Sequence, residues 1–266
     1  MRLLAKSVAL CVLATVAFAQ TTAPVTVTKD PQAVAMMTQM MAATGWNLSS
    51  LPSDAVLSGT ITRYGPSQAQ TSLSLMMETT GPSQVRFSVN DGTKVTTTII
   101  NSGAGAVITP TSTSALPAHT AMCLRPTHLP FFAGLSAWAD PTVSLTYNGT
   151  DIVNGQPTYR IGLRRPYASG DSMGKLIARA SWLDVWISQQ STLPVQIAYE
   201  QIGTDNPNAA MVQTAQFSDF RSIGGLLVAF HEEVYAQTRH LYSLQASTIQ
   251  LNVGVPATDF TIPTMQ

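Results

Sequence analysis

The stretch WLDVWISQQSTLPVQIAYE, residues 182–200, decides the fold. Read as a strand, it puts Trp182, Asp184 and Trp186 on one side and Leu183, Val185 and Ile187 on the other. A sheet with one solvated face alternates apolar and polar residues. Here both sides carry large apolar groups, so both need cover.

Working outward, the period of two recurs. AAMVQTAQFSDF, GLLVAFHEEVYAQ and LYSLQASTIQLNVGV follow as strands, divided by turns at 203–208 and at Gly224-Gly225. Upstream, TVSLTYNG and DIVNGQPTYRIGLRR contain a hairpin at Asn154-Gly155. Further upstream, AVLSGTITRY, TSLSLMMET, SQVRFSVN and TKVTTTII form a meander punctuated by Gly65-Pro66, Gly81-Pro82 and Asn90-Asp91-Gly92. In its second strand Leu73, Leu75 and Met77 share one face. Residues 111–141 are proline-rich and break the alternation, predicting a loop with one or two short helices, chiefly over Phe131–Trp138. Residues 166–180 also read as loop with at most a turn of helix. Before the first strand, PQAVAMMTQMMAATG is a helix, with Asp30 as N-cap, Pro31 at the first position and Gly45 as the stop. Its methionines suit either a plain packed face or a soft, adaptable plug.

The N-terminus reads as an export signal over residues 1–19. Arg2 and Lys6 precede an apolar run, and Ala17-Phe18-Ala19 predicts cleavage before Gln20. Leu10 in front of Cys11 argues against a lipoprotein signal. Residues 20–30 read as a mobile leader, and residues 31–266 as one domain. Cleavage removes two of 14 basic residues against 14 acidic ones, leaving a net charge of −2. That balance offers no basic field for nucleic acid or anionic lipid. After residue 20 no apolar run is long enough to span a membrane, so no integral membrane segment is expected in the mature chain.

Catalytic signatures are weak. HEEVY at 231–235 lacks the helical metal-binding spacing, although His231, Glu233 and Tyr235 share a strand face. His119 and His128 flank Cys123, the one cysteine left after cleavage, without a supporting context. No nucleophile elbow, phosphate loop or dinucleotide fingerprint is present. The expectation is a protein that is not an enzyme and needs no metal or cofactor.

Several segments together carry a resemblance. They are Asp184-Val185-Trp186-Ile187, the Leu193-Pro194 turn, Phe217-Ser218-Asp219-Phe220, Gly225-Leu226-Leu227 and the closing Asp259-Phe260-Thr261-Ile262-Pro263. Over residues 140–266 the chain resembles the LolA/LolB-like family of periplasmic lipoprotein carriers and lipid-binding lipoproteins, which also includes envelope sensor domains. Over 31–110 only the order of helix and strands matches. The resemblance implies a mainly β fold with a few helices: a strongly curved antiparallel sheet, an unclosed half-barrel, with helices plugging its concave face. It implies a periplasmic or secreted protein whose partner is a hydrophobic small molecule, a lipid or a lipidated protein. The alternative is a sensor or an envelope-protein-binding domain of the same fold. Burying an acyl chain is worth about 0.8 kcal/mol per methylene, so such a site needs few charged contacts. The expected lining is Met37, Met40 and Met41 from the helix, Phe131, Phe132 and Trp138 from the proline-rich segment, and Trp182 and Trp186 from the strand. On that reading Phe132→Asp removes ligand uptake and leaves the sheet folded.

Overall fold

A computed structural model of the chain describes residues 25–81, 83–168, 170–203 and 210–264. The predicted signal segment and residues 20–24 of the leader lie outside the described residues. The first helix, α1 (Pro31–Thr44), forms as its sequence dictates. The Asp30 carboxylate accepts from the backbone N–H of Gln32 (2.8 Å) and Ala33 (3.2 Å), and Gly45 ends the helix at φ 74. The end of the leader is not free. Leu145 N–H donates to the Thr28 carbonyl at 2.8 Å, Asp30 N–H donates to the Leu145 carbonyl at 3.1 Å, and the Lys29 ammonium donates to the carbonyls of Trp138 (2.5 Å) and Asp140 (3.0 Å). The expectation of mobility up to residue 30 is therefore corrected for residues 28–30.

Among the described residues thirteen strands make one antiparallel sheet. The first meander is β1 (Ala55–Tyr64), β2 (Gln70–Thr80), β3 (Gln84–Asn90), β4 (Val95–Asn101), β5 (Ala104–Thr109) and β6 (Ser112–Ala115). The second is β7 (Ser144–Val153), β8 (Gln156–Arg164), β9 (Leu183–Ser188), β10 (Pro194–Ile202), β11 (Ala210–Ile223), β12 (Leu226–Ala236) and β13 (Arg239–Leu251). Pairing of β1 with β13, from Ala55 opposite Leu251 to Arg63 opposite Tyr242, joins the two halves. The outermost strands β6 and β7 do not pair with each other, so the sheet is an open half-barrel. The segment 116–143 connects these two edges. It crosses the sheet and buries Leu129, Phe131, Phe132 and Leu135 in the same core as strand residues from both meanders.

Three local expectations are corrected. Strand β6 lies within the region read as non-strand; its polar sequence gives no alternation, because it is a short edge strand paired on one side. In the crossing segment the α-helix is α2 (Ala118–Cys123), and residues Leu135–Ala139 form a 3₁₀ turn where a helix over Phe131–Trp138 was predicted. Residues Ser172–Ser181 form a ten-residue helix, α3, begun by Asp171 accepting from Gly174 N–H at 2.8 Å.

Strand β9 resolves the opening stretch. Leu183, Val185 and Ile187 enter the main core. Trp182 and Trp186 pack on the opposite face with Val153, Val195 and Ala198. Among the described residues, arginine side chains cover that face at Asp184. The Arg160 Nε and Nη2 atoms donate to Asp184 Oδ2 at 2.9 and 2.5 Å, and its guanidinium lies 4.8 Å from the centre of the Trp186 ring. Trp182 Nε1 donates to Asp184 Oδ1 at 3.1 Å, so the fully buried carboxylate is paired and hydrogen-bonded. Gly162 sits opposite Asp184 across the ladder, where a Cβ would come within 2.8 Å of Thr146 Oγ1 and of Asn148 Nδ2.

The end of the crossing segment is held by Asp140. Its carboxylate accepts from the Thr142 hydroxyl (2.7 Å) and backbone N–H (2.8 Å), and from Arg165 (2.7 Å). These contacts, led by the Thr142 hydroxyl, bring its pKa down to about 2. A depressed carboxylate contributes stability that is fully present above its unfolded pKa, about 4, and is lost as pH falls towards 2. Asp140→Asn is expected to flatten the fall of melting temperature with pH between about 4 and 2. Thermal melts across that window check it, and an unchanged slope refutes it.

Candidate functional site

The eight residues predicted to line a ligand site are not brought together as a lining. Met37, Met40, Met41, Phe131 and Phe132 are buried in the main core, and Trp138 packs against it half-buried. Phe131 stacks on Trp46 with ring centres 4.3 Å apart, and Phe132 meets the same indole edge-on at 6.0 Å. The cavity beside this trio is only about 70 Å³. Trp182 and Trp186 lie on the other side of the sheet, in the arginine-roofed cluster. The methionine helix and the Phe131–Trp138 segment therefore fill one end of the half-barrel.

The hollow is at the other end. A cavity of about 360 Å³ opens between the concave strands and residues 124–128 of the crossing segment. Registry explains its walls. Leu75 is opposite Val89 and Met77 opposite Phe87, while Ile61 is opposite Leu244 and Arg63 opposite Tyr242. All eight side chains line the cavity. The apolar ones among them, Ile61, Leu75, Met77, Phe87, Val89 and Leu244, make one side apolar together with Leu124. A second cavity of about 580 Å³ shares Arg63, Val89 and Thr98 with the first and continues past Leu73.

The opposite side of the hollow is polar. Arg125, Thr127 and His128 contribute from the crossing segment, Tyr199 and Gln201 from β10, Gln213 from β11, Glu232 from β12 and Tyr242 from β13. His128 Nδ1 lies 3.6 Å from Glu232 Oε2, and both side chains are 1% exposed. Neither His128 ring nitrogen nor Glu232 Oε1 has a hydrogen-bond partner among the described residues. Buried polar atoms are nearly always partnered, so this group is a place for a polar ligand atom or for water. Tyr199 donates from its hydroxyl to Gln213 Oε1 at 3.0 Å. Burial raises the pKa of Tyr199 and of Tyr242, keeping both hydroxyls neutral donors. Desolvation lowers the pKa of Arg125, whose guanidinium makes no hydrogen bond or ion pair among the described residues. The arrangement can hold a molecule with an apolar body and a polar end.

Sequence reasoning passed over most of these polar residues. In HEEVY the residues sharing a strand face, His231, Glu233 and Tyr235, do meet: His231 Nε2 is 3.2 Å from Glu233 Oε1, and the Tyr235 hydroxyl donates to Glu233. The informative residue was the alternate one. Glu232 falls on the inward stripe with Val228, Phe230 and Val234, and a carboxylate in an apolar stripe marks a site. Arg125 lies outside any strand, so periodicity said nothing about it. Cys123 is buried, which raises its thiol pKa. His119 bonds the Gly203 carbonyl (2.9 Å) and His128 faces Glu232, so neither pairs with Cys123 among the described residues. Among the described residues no cluster of His, Cys, Asp and Glu is arranged to hold a metal ion, and no helix is long and apolar enough to cross a membrane.

No protein-family model and no curated protein sequence matches the chain. Solved structures do. A protein domain from Vibrio parahaemolyticus assigned to outer membrane lipoprotein sorting is 9% identical, with a TM-score of 0.55 over 86% of this chain and 96% of that one. A DUF1329 family protein from Desulfovibrio piger is 11% identical, with a TM-score of 0.58 over 86% and 97%. A LolA superfamily protein from Nitrosomonas europaea is 13% identical, with a TM-score of 0.54 over 86% and 97%. At these identities the likeness is one of fold.

Proposed function

We propose that this chain, built on the LolA-like half-barrel it shares with those structures, is an exported binding protein that shelters the apolar part of an amphiphile in its concave hollow. Its role is carriage or transfer rather than catalysis. The observation that carries this reading is the two-sided cavity of about 360 Å³, apolar along β1–β3 and polar at the crossing segment. Ligand sites are of this kind: concave, mostly apolar, with a few convergent polar groups. A volume near the low end of the usual 300–1,000 Å³ range suits one chain or a compact lipid rather than several chains at once. Export is supported by the pattern of residues 2–19, and an envelope location by the lipoprotein-sorting neighbour from Vibrio parahaemolyticus.

The test is a titration of the purified mature chain with N-phenyl-1-naphthylamine, an uncharged probe that fluoresces in apolar surroundings. A saturable rise at one probe per chain, reversed by an envelope lipid extract, is expected. A flat titration would overturn the binding reading and leave a domain of this fold that recognises a protein partner.

A further inference from the structure

The charges around the hollow do not balance. Its described lining contains two guanidiniums, Arg63 and Arg125, against one carboxylate, Glu232. Glu232 has a neighbour of its own, since His128 Nδ1 is 3.6 Å from its Oε2 and both are buried to the same degree. The two arginines have none: neither makes a hydrogen bond or an ion pair among the described residues. Arg63 stands exposed where the two cavities meet. Arg125 is half-buried beside Tyr199, where desolvation lowers its pKa. Elsewhere the fold pairs arginines closely: Arg86 with Glu78 at 2.8 Å, Arg160 with Asp184 at 2.5 Å, Arg165 with Asp140 at 2.7 Å and Arg221 with Asp219 at 2.6 Å. A guanidinium withdrawn from water without an anion is costly, and a planar carboxylate or phosphate is its best partner.

We infer that the hollow selects amphiphiles with an anionic oxygen head, a carboxylate or a phosphate, held by Arg125 with Arg63 at the mouth, while the tail lies along Leu75, Met77, Phe87 and Leu244. The inference rests on the reading of the hollow as an amphiphile site. Tyr242, opposite Arg63 in the ladder, adds a neutral hydroxyl to the lining, while the Tyr199 hydroxyl already donates to Gln213 Oε1.

The experiment displaces the uncharged probe with decanoate, decyl phosphate and decanol, below their micelle concentrations, at pH 8 and fixed salt. The two anions are expected to bind at least about tenfold more tightly than decanol, the yield of one charge-assisted contact. In R125Q the ratio of anion to alcohol affinity is expected to fall to about one, while R125K keeps part of it. Decanoate exceeding decyl phosphate would identify a carboxylate source, and the reverse a phosphate source; either supports an anionic head. Equal binding of decanol and both anions by the wild-type chain overturns the inference and leaves the amphiphile site standing. The same holds if R125Q is folded by circular dichroism and keeps the full ratio. Failure of all three compounds, together with a flat probe titration, overturns both readings.

Discussion

Phe132→Asp is expected to unfold the protein rather than empty a binding site. Phe132 is 4% exposed and meets the Trp46 ring edge-on, beside the Trp46–Phe131 stack. Truncating a buried phenylalanine costs about 3–5 kcal/mol from lost contacts and the cavity left behind. An unpaired carboxylate in that place adds a desolvation cost, bringing the total to about 5 kcal/mol or more, comparable with the whole stability of many domains. Urea melts and near-ultraviolet dichroism check this, with Phe132→Leu as a volume-sparing control expected to lose under about 1.5 kcal/mol. A Phe132→Asp chain that melts like the wild type would show that residues 128–135 are a detachable cover. The result separates two architectures: here the crossing segment is part of the core at Phe132 and borders the hollow only at residues 124–128.

Val89→Trp is the converse case, a large loss of binding at little cost in stability. Val89 is half-buried on the concave face opposite Leu75 and lines both cavities. An indole there extends into open space rather than into packed atoms, so overpacking strain is small. Its ring and a ligand tail compete for the same volume. Each methylene kept out of the hollow forfeits about 0.8 kcal/mol, so four displaced methylenes cost about 3 kcal/mol and binding weakens more than 100-fold. The melting point should stay within the range of an ordinary surface substitution, about 0.5 kcal/mol. Val89→Ala, which leaves the space clear, is expected to keep wild-type affinity within a few-fold. An unchanged probe affinity in folded Val89→Trp would move the site away from β1–β3.

Much of the fold is written locally. Asp30, Pro31 and Gly45 set the ends of α1 through backbone hydrogen bonds and a left-handed stop, which involve only neighbours in the chain. The alternation in 55–64, 71–79 and 182–188 identified strands and the residues that share a face, because side-chain direction in a strand has a fixed period. The need of residues 182–188 for cover on both sides was also legible. Arginine stems as the outer cover were not, because Arg160 reaches Asp184 across a ladder pairing that depends on register.

What tertiary structure alone decided is where the chain returns. Pairing of β1 with β13, and the passage of 116–143 from the β6 edge to the β7 edge, are long-range choices with no local signature. They determine that the methionines of α1 and Phe131–Phe132 meet to fill one end solidly, and that the other end stays hollow. They also bring Arg125 and His128 to Tyr199, Glu232 and Tyr242. Composition and periodicity determined that the apolar residues would be buried and which of them share a face of each strand. They could not say whether that burial would be against other side chains or around a space, since the hydrophobic effect rewards both and only packing geometry distinguishes them.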